Sequence, residues 1–146
     1  MSGLTSTLLT SLAEHLAAEG IGVWKPDGAY TAAETAITIR GIPALPDQLI
    51  TLSSYRVGDD YPGGQDFVQM VQVRFRGTTD PRVVDDLGDS VFDLLDSREH
   101  WHCGPIPVVY SQRRSDTSLG QDGNRRWESS HNYALHVMRP TAHRNV

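Results

Sequence analysis

The clearest pattern of apolar and polar positions runs from residue 67 to residue 97. From residue 67 to residue 76, apolar side chains recur at alternate positions, which is typical of a strand with one buried face. Asp80 and Pro81 then stand where a helix N-cap and first turn belong, and apolar residues follow them at helical spacing. This stretch predicts a strand, a short turn and a helix that packs on the strand. The strand face is Phe67, Val71, Val73 and Phe75, and the helix stripe is Val84, Leu87, Val91, Leu94 and Leu95.

The rest of the chain predicts one more helix and several further strands. Residues 4–19 place leucines at helical spacing, and Gly20 stands where a helix C-terminus belongs. Residues 21–24 form a short extended piece, and Pro43 and Pro46 break the chain between two strand patterns. The predicted strands are residues 36–40, 48–55, 67–76, 106–112 and 127–138.

Two long polar stretches, at residues 56–66 and 113–126, are expected to be loops. Residues 100–103 are expected to form a turn after the second helix, and the tail after Pro140 is expected to fray. Strands grouped around two helices favour an α+β class. We therefore predict a single α+β domain over residues 1–146, with a mainly antiparallel or mixed sheet of four to five strands flanked by two α-helices.

The charge balance argues against general nucleic-acid binding. The net charge is −5, whereas a protein that binds phosphates needs an excess of cations. The charges are also unevenly spread, because residues 1–97 carry 6 basic and 14 acidic side chains while residues 98–146 carry 7 arginines and 4 acidic side chains. An acidic front and an Arg-rich back can favour head-to-tail association of identical subunits. No apolar run approaches the roughly 20 residues of a membrane span, so we expect no membrane insertion.

Candidate catalytic chemistry is sparse. His100, His102 and Cys103 could be zinc ligands, but their spacing matches no common zinc site, so a turn with ordinary polar side chains is favoured. Cys103 is the single cysteine, and no nucleophile motif surrounds it, so a part-buried small side chain is favoured over a nucleophile. Gly63 and Gly64 lack the Lys and Ser/Thr of a phosphate loop. We predict no catalytic residue, no metal and no cofactor.

Two sets of charged residues are candidates for an interface. The first set is a row of aspartates opposite the apolar stripe of the second helix, which favours a solvated or interface-facing side over catalytic carboxylates. Asp93 and Asp96 lie near the end of this helix, where the helix dipole disfavours them. The second set is the two arginine pairs at the ends of residues 113–126. These pairs can serve solubility, or they can contact an acidic surface of a partner. The predicted interface residues are Arg113, Arg114, Arg125, Arg126, Asp85, Asp89 and Asp93.

Several segments in a fixed order give the chain a resemblance to a known family. RFRG is followed after three residues by a helix that begins with Pro and has the form V-x-x-L-x-D-x-V-F-D-x-L. An N-terminal LTSLAEHLAAEGIGVW helix, a PDQLITLSSY strand and a closing strand after a polar stretch complete the order. Over residues 4–139 the chain resembles the tail terminator proteins of long-tailed bacteriophages, which are often catalogued as minor capsid proteins.

The resemblance implies an α+β protein that forms a hexameric ring. Such a ring docks on the head-proximal end of the finished tail tube, stops tube polymerisation and offers a surface to the head connector. The implied partners are other copies of the chain, the tail tube protein and the connector, and genomic DNA passes through the lumen without specific binding. The implied location is the virion, after assembly in the host bacterial cytoplasm, and no enzymatic activity is implied.

Other functions are compatible with the same residues. A head-completion or connector protein of the same virion has a similar size, and binding to portal-bearing heads rather than tail tubes would identify it. A small cytosolic enzyme would use Cys103 and a histidine, and a reactive thiol would support it. A cellular binding module unrelated to virions is the third alternative.

Overall fold

The computed structural model describes residues 3–56 and 66–139, with the backbone only for residue 66. Asp66 is the first residue of a strand, and residues 57–65 of the predicted loop over residues 56–66 lie outside the described residues. The same holds for Gly63, Gly64 and the tail that was expected to fray after Pro140.

The described residues form two helices and seven strands. The helices are α1 (Leu4–Ala18) and α2 (Pro81–Leu95). The prediction of four to five strands is wrong, because two short strands, β1 and β5, carry no clear alternation of apolar and polar side chains. The strands are β1 (Val23–Trp24), β2 (Ala36–Ile39), β3 (Leu49–Tyr55), β4 (Asp66–Arg76), β5 (Arg98–Cys103), β6 (Ile106–Gln121) and β7 (Trp127–Met138).

All seven strands belong to one mixed sheet in the order β1-β2-β3-β4-β7-β6-β5. Strands β1, β2 and β3 are parallel to one another, and the remaining neighbours are antiparallel. Helix α1 contacts β1, β2 and β3 near one end of this order and β5 at the other end, so the sheet curls around it. The predicted α+β class with a mixed sheet and two helices is confirmed.

One apolar core joins both helices to the sheet. The α2 residues Val84, Leu87, Val91 and Leu95 belong to the same buried cluster as the predicted β4 face. Leu94 was predicted to lie in this stripe, but it is only partly buried whereas Leu95 is completely buried. The correction follows from the helical repeat, because Leu95 lies four residues after Val91 and so stays on the face that meets the sheet.

Local signals fix where α2 begins and how closely it approaches the sheet. Asp80 caps the helix, since its Oδ1 accepts a hydrogen bond of 3.0 Å from the backbone N–H of Arg82, and Pro81 follows as predicted. Gly88 lets α2 pack directly on β7. A Cβ atom at Gly88 would lie 2.7 Å from Cε1 of His131, so the closest contact of helix and strand depends on the missing side chain.

Residues 100–103 form part of β5 instead of the predicted turn. Trp101 and Cys103 are buried, while His100 and His102 are exposed. The indole N–H of Trp101 donates to the hydroxyl of Ser111 on β6, and that hydroxyl donates to the carbonyl of Leu95 at the end of α2. This buried chain of hydrogen bonds ties β5, β6 and α2 together, and only the tertiary structure brings its members into contact.

Most of the predicted loop at residues 113–126 is a β-hairpin. Strand β6 continues to Gln121 and pairs with β7 as far as Gln121↔Trp127, so only a short turn remains. The prediction of a loop is wrong because residues 114–119 are all exposed and nothing selects apolar side chains at alternate positions. Backbone pairing with β7 determines this part of the strand.

Candidate functional site

Among the described residues, no strand pairs with the outer side of the far end of the β6–β7 hairpin, which we call the hairpin arm (β6 from Gln112 to Gln121, with the turn that follows). Strand β5 pairs with β6 only as far as Arg98↔Ser111, and β6 continues for ten residues beyond that pair. The pairing with β7 skips Arg114 and Leu119 at two irregularities. The arm therefore presents one strand edge and a row of exposed side chains to a partner.

The four predicted interface arginines occupy different environments. Arg114 lies on the exposed arm and Arg125 in the exposed turn, and neither side chain has an ion pair with another described residue. Arg113 is half-buried, with its guanidinium 4.2 Å from the centre of the Phe92 ring, and its backbone N–H donates to Asp96. Arg126 is buried, with 6% of its surface exposed.

Arg126 and Arg76 hold the proline-rich connection between β2 and β3, which we call the clamped loop (residues 41–48). Arg76 has only 3% of its surface exposed, which is unusual for a charged side chain. Each guanidinium donates to oxygens of the loop, which offsets part of the cost of burying its charge. Arg76 contacts the carbonyls of Pro43, Pro46 and Asp47 over 2.7–2.9 Å, and Arg126 contacts the carbonyl of Ala44 at 2.6 Å and Oδ1 of Asp47 at 3.2 Å.

Asp122 completes the clamp from the hairpin turn. Its carboxylate accepts hydrogen bonds from the backbone N–H groups of Asn124 and Arg126 and from Nε of Arg126 at 2.9 Å. Burial raises the pKa of Asp122, but these hydrogen bonds outweigh burial and hold the pKa below its ordinary value. The turn, Arg126 and the clamped loop therefore form one connected structure.

The clamped loop forms one wall of an apolar groove beside β1 and β2, which we call the edge groove. Its volume is about 770 Å³. On the loop side, Ile42 is 49% exposed and Leu45 is 69% exposed, so two large apolar side chains are accessible in the same groove. The lining includes Trp24, Pro26, Tyr30, Ile39, Ile42 and Leu45.

A second cleft lies between α2 and the hairpin, with a volume of about 390 Å³. Asp85 and Asp89 of the acidic helix face line it together with Arg113, so the structure brings members of both predicted charge sets to one cleft. Asp93 is exposed further along the same helix. His131 also lines the cleft, and burial followed by the charge of Arg113 lowers its pKa.

The residues considered for catalysis lie apart from these surfaces. Cys103 is completely buried and its Sγ lies 3.7 Å from the carbonyl oxygen of Leu8 on α1. Burial raises the pKa of the Cys103 thiol to about 12, so the reactive thiolate is disfavoured. In the part of the chain that the structure describes, no three His, Cys, Asp or Glu residues form a group that could hold a metal ion.

No described helix is long and apolar enough to cross a membrane.

The described residues therefore present exposed apolar and charged surfaces on an α+β scaffold, which are suited to contact with other proteins. The family described as bacteriophage tail terminator protein matches residues 15–139, so the chain belongs to this family. Membership makes it a phage tail structural protein of the virion, from a family that is structural and not enzymatic. The predicted family is confirmed. No curated protein matches the chain.

Proposed function

We propose that six copies of this chain form a ring on the head-proximal end of the tail tube. The ring stops further polymerisation of the tube and offers its other side to the head connector. The observation that carries the proposal is the family match over residues 15–139. Assembly takes place in the host cytoplasm, and the ring needs no cofactor and performs no catalysis.

A closed ring needs two different surfaces on each copy, because identical subunits arranged head to tail never use one patch against itself. The candidate contact residues for neighbouring copies or the tube are Arg113, Arg114, Arg125, Asp85, Asp89 and Asp93, of which Arg113, Asp85 and Asp89 line one cleft. Arg126 contributes indirectly, since it supports the clamped loop from within the chain. DNA passes through the lumen without specific binding, and the net charge of −5 favours its free passage.

The free protein can be monomeric and still form this ring. Each contact between neighbours must first offset the loss of rigid-body freedom, and a small interface does this poorly. The tube end removes much of that cost because it holds adjacent copies side by side, so a docked copy gains tube and neighbour contacts together. Occupancy of the tube end should therefore rise cooperatively with protein concentration.

Electron microscopy of purified tail tubes and portal-bearing heads, each mixed with the protein, tests this function. We expect a ring at one end of the tubes and none on the isolated heads. Arg114→Glu and Arg125→Glu should each lower the fraction of capped tubes. Arg82→Glu is the control for the charge change at an exposed position on α2, and its unfolding midpoint is measured alongside because Arg82 pairs with the N-cap residue Asp80. Binding to heads and not to tubes would identify a connector protein instead.

A further inference from the structure

We propose that neighbouring copies in the ring join by the hairpin arm of one copy entering the edge groove of the next. In this contact Leu119 of the arm packs against Ile42 and Leu45 of the groove. The inference deepens the proposed function and rests on it, because it names the surfaces by which the ring closes.

The two surfaces lie at different edges of the sheet. The groove is beside β1 and β2, whereas the arm belongs to β6, four strand positions from β2 in the sheet order. A head-to-tail contact requires this arrangement, since each copy must present the arm to one neighbour and the groove to the other.

The local structure of the arm makes Leu119 prominent. Leu119 is 45% exposed among polar neighbours, and the pairing of β6 with β7 skips it between Ser118 and Gly120. A bulge of this kind re-aims a side chain away from the regular face of a strand. Gly120 has φ +78°, a conformation that other residues rarely adopt, so the bulge requires glycine there.

The edge groove is already ordered in the single chain and exposes apolar side chains that another apolar side chain can contact. Its exposed Ile42 and Leu45 are carried by a loop that Arg76 and Arg126 hold through five hydrogen bonds to backbone and side-chain oxygens. A loop that is already ordered loses little conformational freedom on binding. Among the described residues that line the groove, the one charged side chain is Lys25, which is paired with Glu34. Asp27 is exposed between the lining residues Pro26 and Gly28 and offers a negative charge to Arg114 of the entering arm.

The contact is made by side chains and does not extend the sheet. The charged residues and the two bulges of the arm are features that prevent one strand edge from pairing with another. When the side chain of Leu119 enters a groove of about 770 Å³, apolar surface is buried on both copies without pairing of their backbones. The partner that fits is therefore a second copy of this chain, which supplies the exposed leucine.

Cross-linking on assembled tail tubes tests the contact. Leu45→Cys and Leu119→Cys are introduced singly and together, and a short bismaleimide is added to capped tubes. The double variant should give a ladder of cross-linked species up to the closed ring, the two single variants mixed should give dimers, and each single variant alone should give none. The wild-type chain is the first control, because its one thiol is buried. Ser90→Cys with Leu45→Cys is the second control, since Ser90 is exposed on α2.

The outcomes separate this inference from the proposed function. Rings on tubes without the Leu45–Leu119 cross-link, or with equal cross-linking in the Ser90 control, would overturn the contact and leave the ring in place. Absence of any ring would overturn both. Leu119→Asp provides a second measurement, since it should lower the capped fraction at least fivefold with an unchanged unfolding midpoint, whereas Leu119→Met should preserve capping. Normal capping by Leu119→Asp would also overturn the inference.

Discussion

Nη1 of Arg126 donates a hydrogen bond of 2.6 Å to the carbonyl oxygen of Ala44, which lies 82 residues earlier in the chain. This contact joins the hairpin turn to the clamped loop and places a charged group in a buried position. Buried charges are costly to leave unpaired, and Asp122 and Asp47 both face the guanidinium. The relationship explains how a proline-rich loop can hold exposed apolar side chains in a fixed position.

Replacing Arg126 should therefore destabilise the domain. We expect Arg126→Gln to lower the free energy of unfolding by about 2–4 kcal/mol, because it removes a buried guanidinium from its ion pairs and leaves the carbonyl of Ala44 without a donor. The neighbouring Arg125→Gln is the matched control, and it should change stability by less than about 0.5 kcal/mol because Arg125 is exposed. Urea unfolding at equilibrium measures both variants. Equal effects of the two substitutions would contradict the clamp.

The two adjacent leucines at the end of α2 should respond differently to truncation. Leu95→Ala should cost about 2–5 kcal/mol because the side chain is completely buried in the shared core. Leu94→Ala should cost clearly less, since Leu94 is only partly buried. The same urea titrations measure the difference, and a larger loss for Leu94→Ala would show that the face of α2 on the sheet is assigned wrongly.

Gly88→Ala tests the contact between α2 and the sheet, because the contact determines whether the substitution lowers or raises the free energy of unfolding. Alanine is favoured over glycine within a helix by up to about 1 kcal/mol, so an unconstrained position would be stabilised. Here the new Cβ would lie 2.7 Å from the ring of His131, which is itself buried and packed edge-on against Phe75. We expect a net loss of about 1–3 kcal/mol. Adding His131→Ala should remove most of this extra cost in a double-mutant cycle, and additive effects would speak against the contact.

The stability of the domain should fall at mildly acidic pH. Burial, with a further contribution from Arg113, lowers the pKa of His131 below its ordinary value of 6.5, although Asp116, Asp89 and Asp85 act in the opposite direction. The unfolded chain therefore binds a proton at a higher pH than the folded chain. This histidine's contribution is fully present above about pH 6.5 and is lost as the pH falls through the lower, folded pKa. His131→Gln should flatten the pH dependence of the unfolding free energy between about pH 7.5 and 5.5. An unchanged slope would contradict the assignment. Burial also lowers the pKa of His15, so part of the slope should remain in the His131→Gln variant.

The elements that the sequence predicts correctly are those with one completely buried apolar face and a more polar opposite face. Alternation on β4 and the cap at Asp80 identify the strand and helix at the centre of the fold because burial acts there on every second or every third to fourth residue. On the outer part of β6 no face is buried, so the pairing with β7 leaves no apolar pattern. That is why the arm, and with it the position of Leu119, is visible only in the structure.

The candidate site is predicted only in part for a related reason. Arg114 and Arg125 are exposed, as the polar character of their surroundings indicates. Arg126 has the same surroundings in the sequence, yet it is buried because the clamped loop, distant in sequence, covers it. Arg126 is bound by the carbonyl of Ala44 and the carboxylate of Asp47, and the positions of both groups depend on the fold of the whole sheet. Local pattern carries no information on such contacts.

The measurement that tests the central claim most directly is electron microscopy of tails assembled with and without this protein in infected cells. The proposed function predicts overlong tubes without a head-proximal ring when the protein is absent, and uniform, capped tails when it is supplied from a second gene copy. Supply of the Leu119→Asp variant should leave many tubes overlong, whereas Leu119→Met should restore their length. Capped tails of normal length in the absence of the protein would contradict its role in ending tube growth.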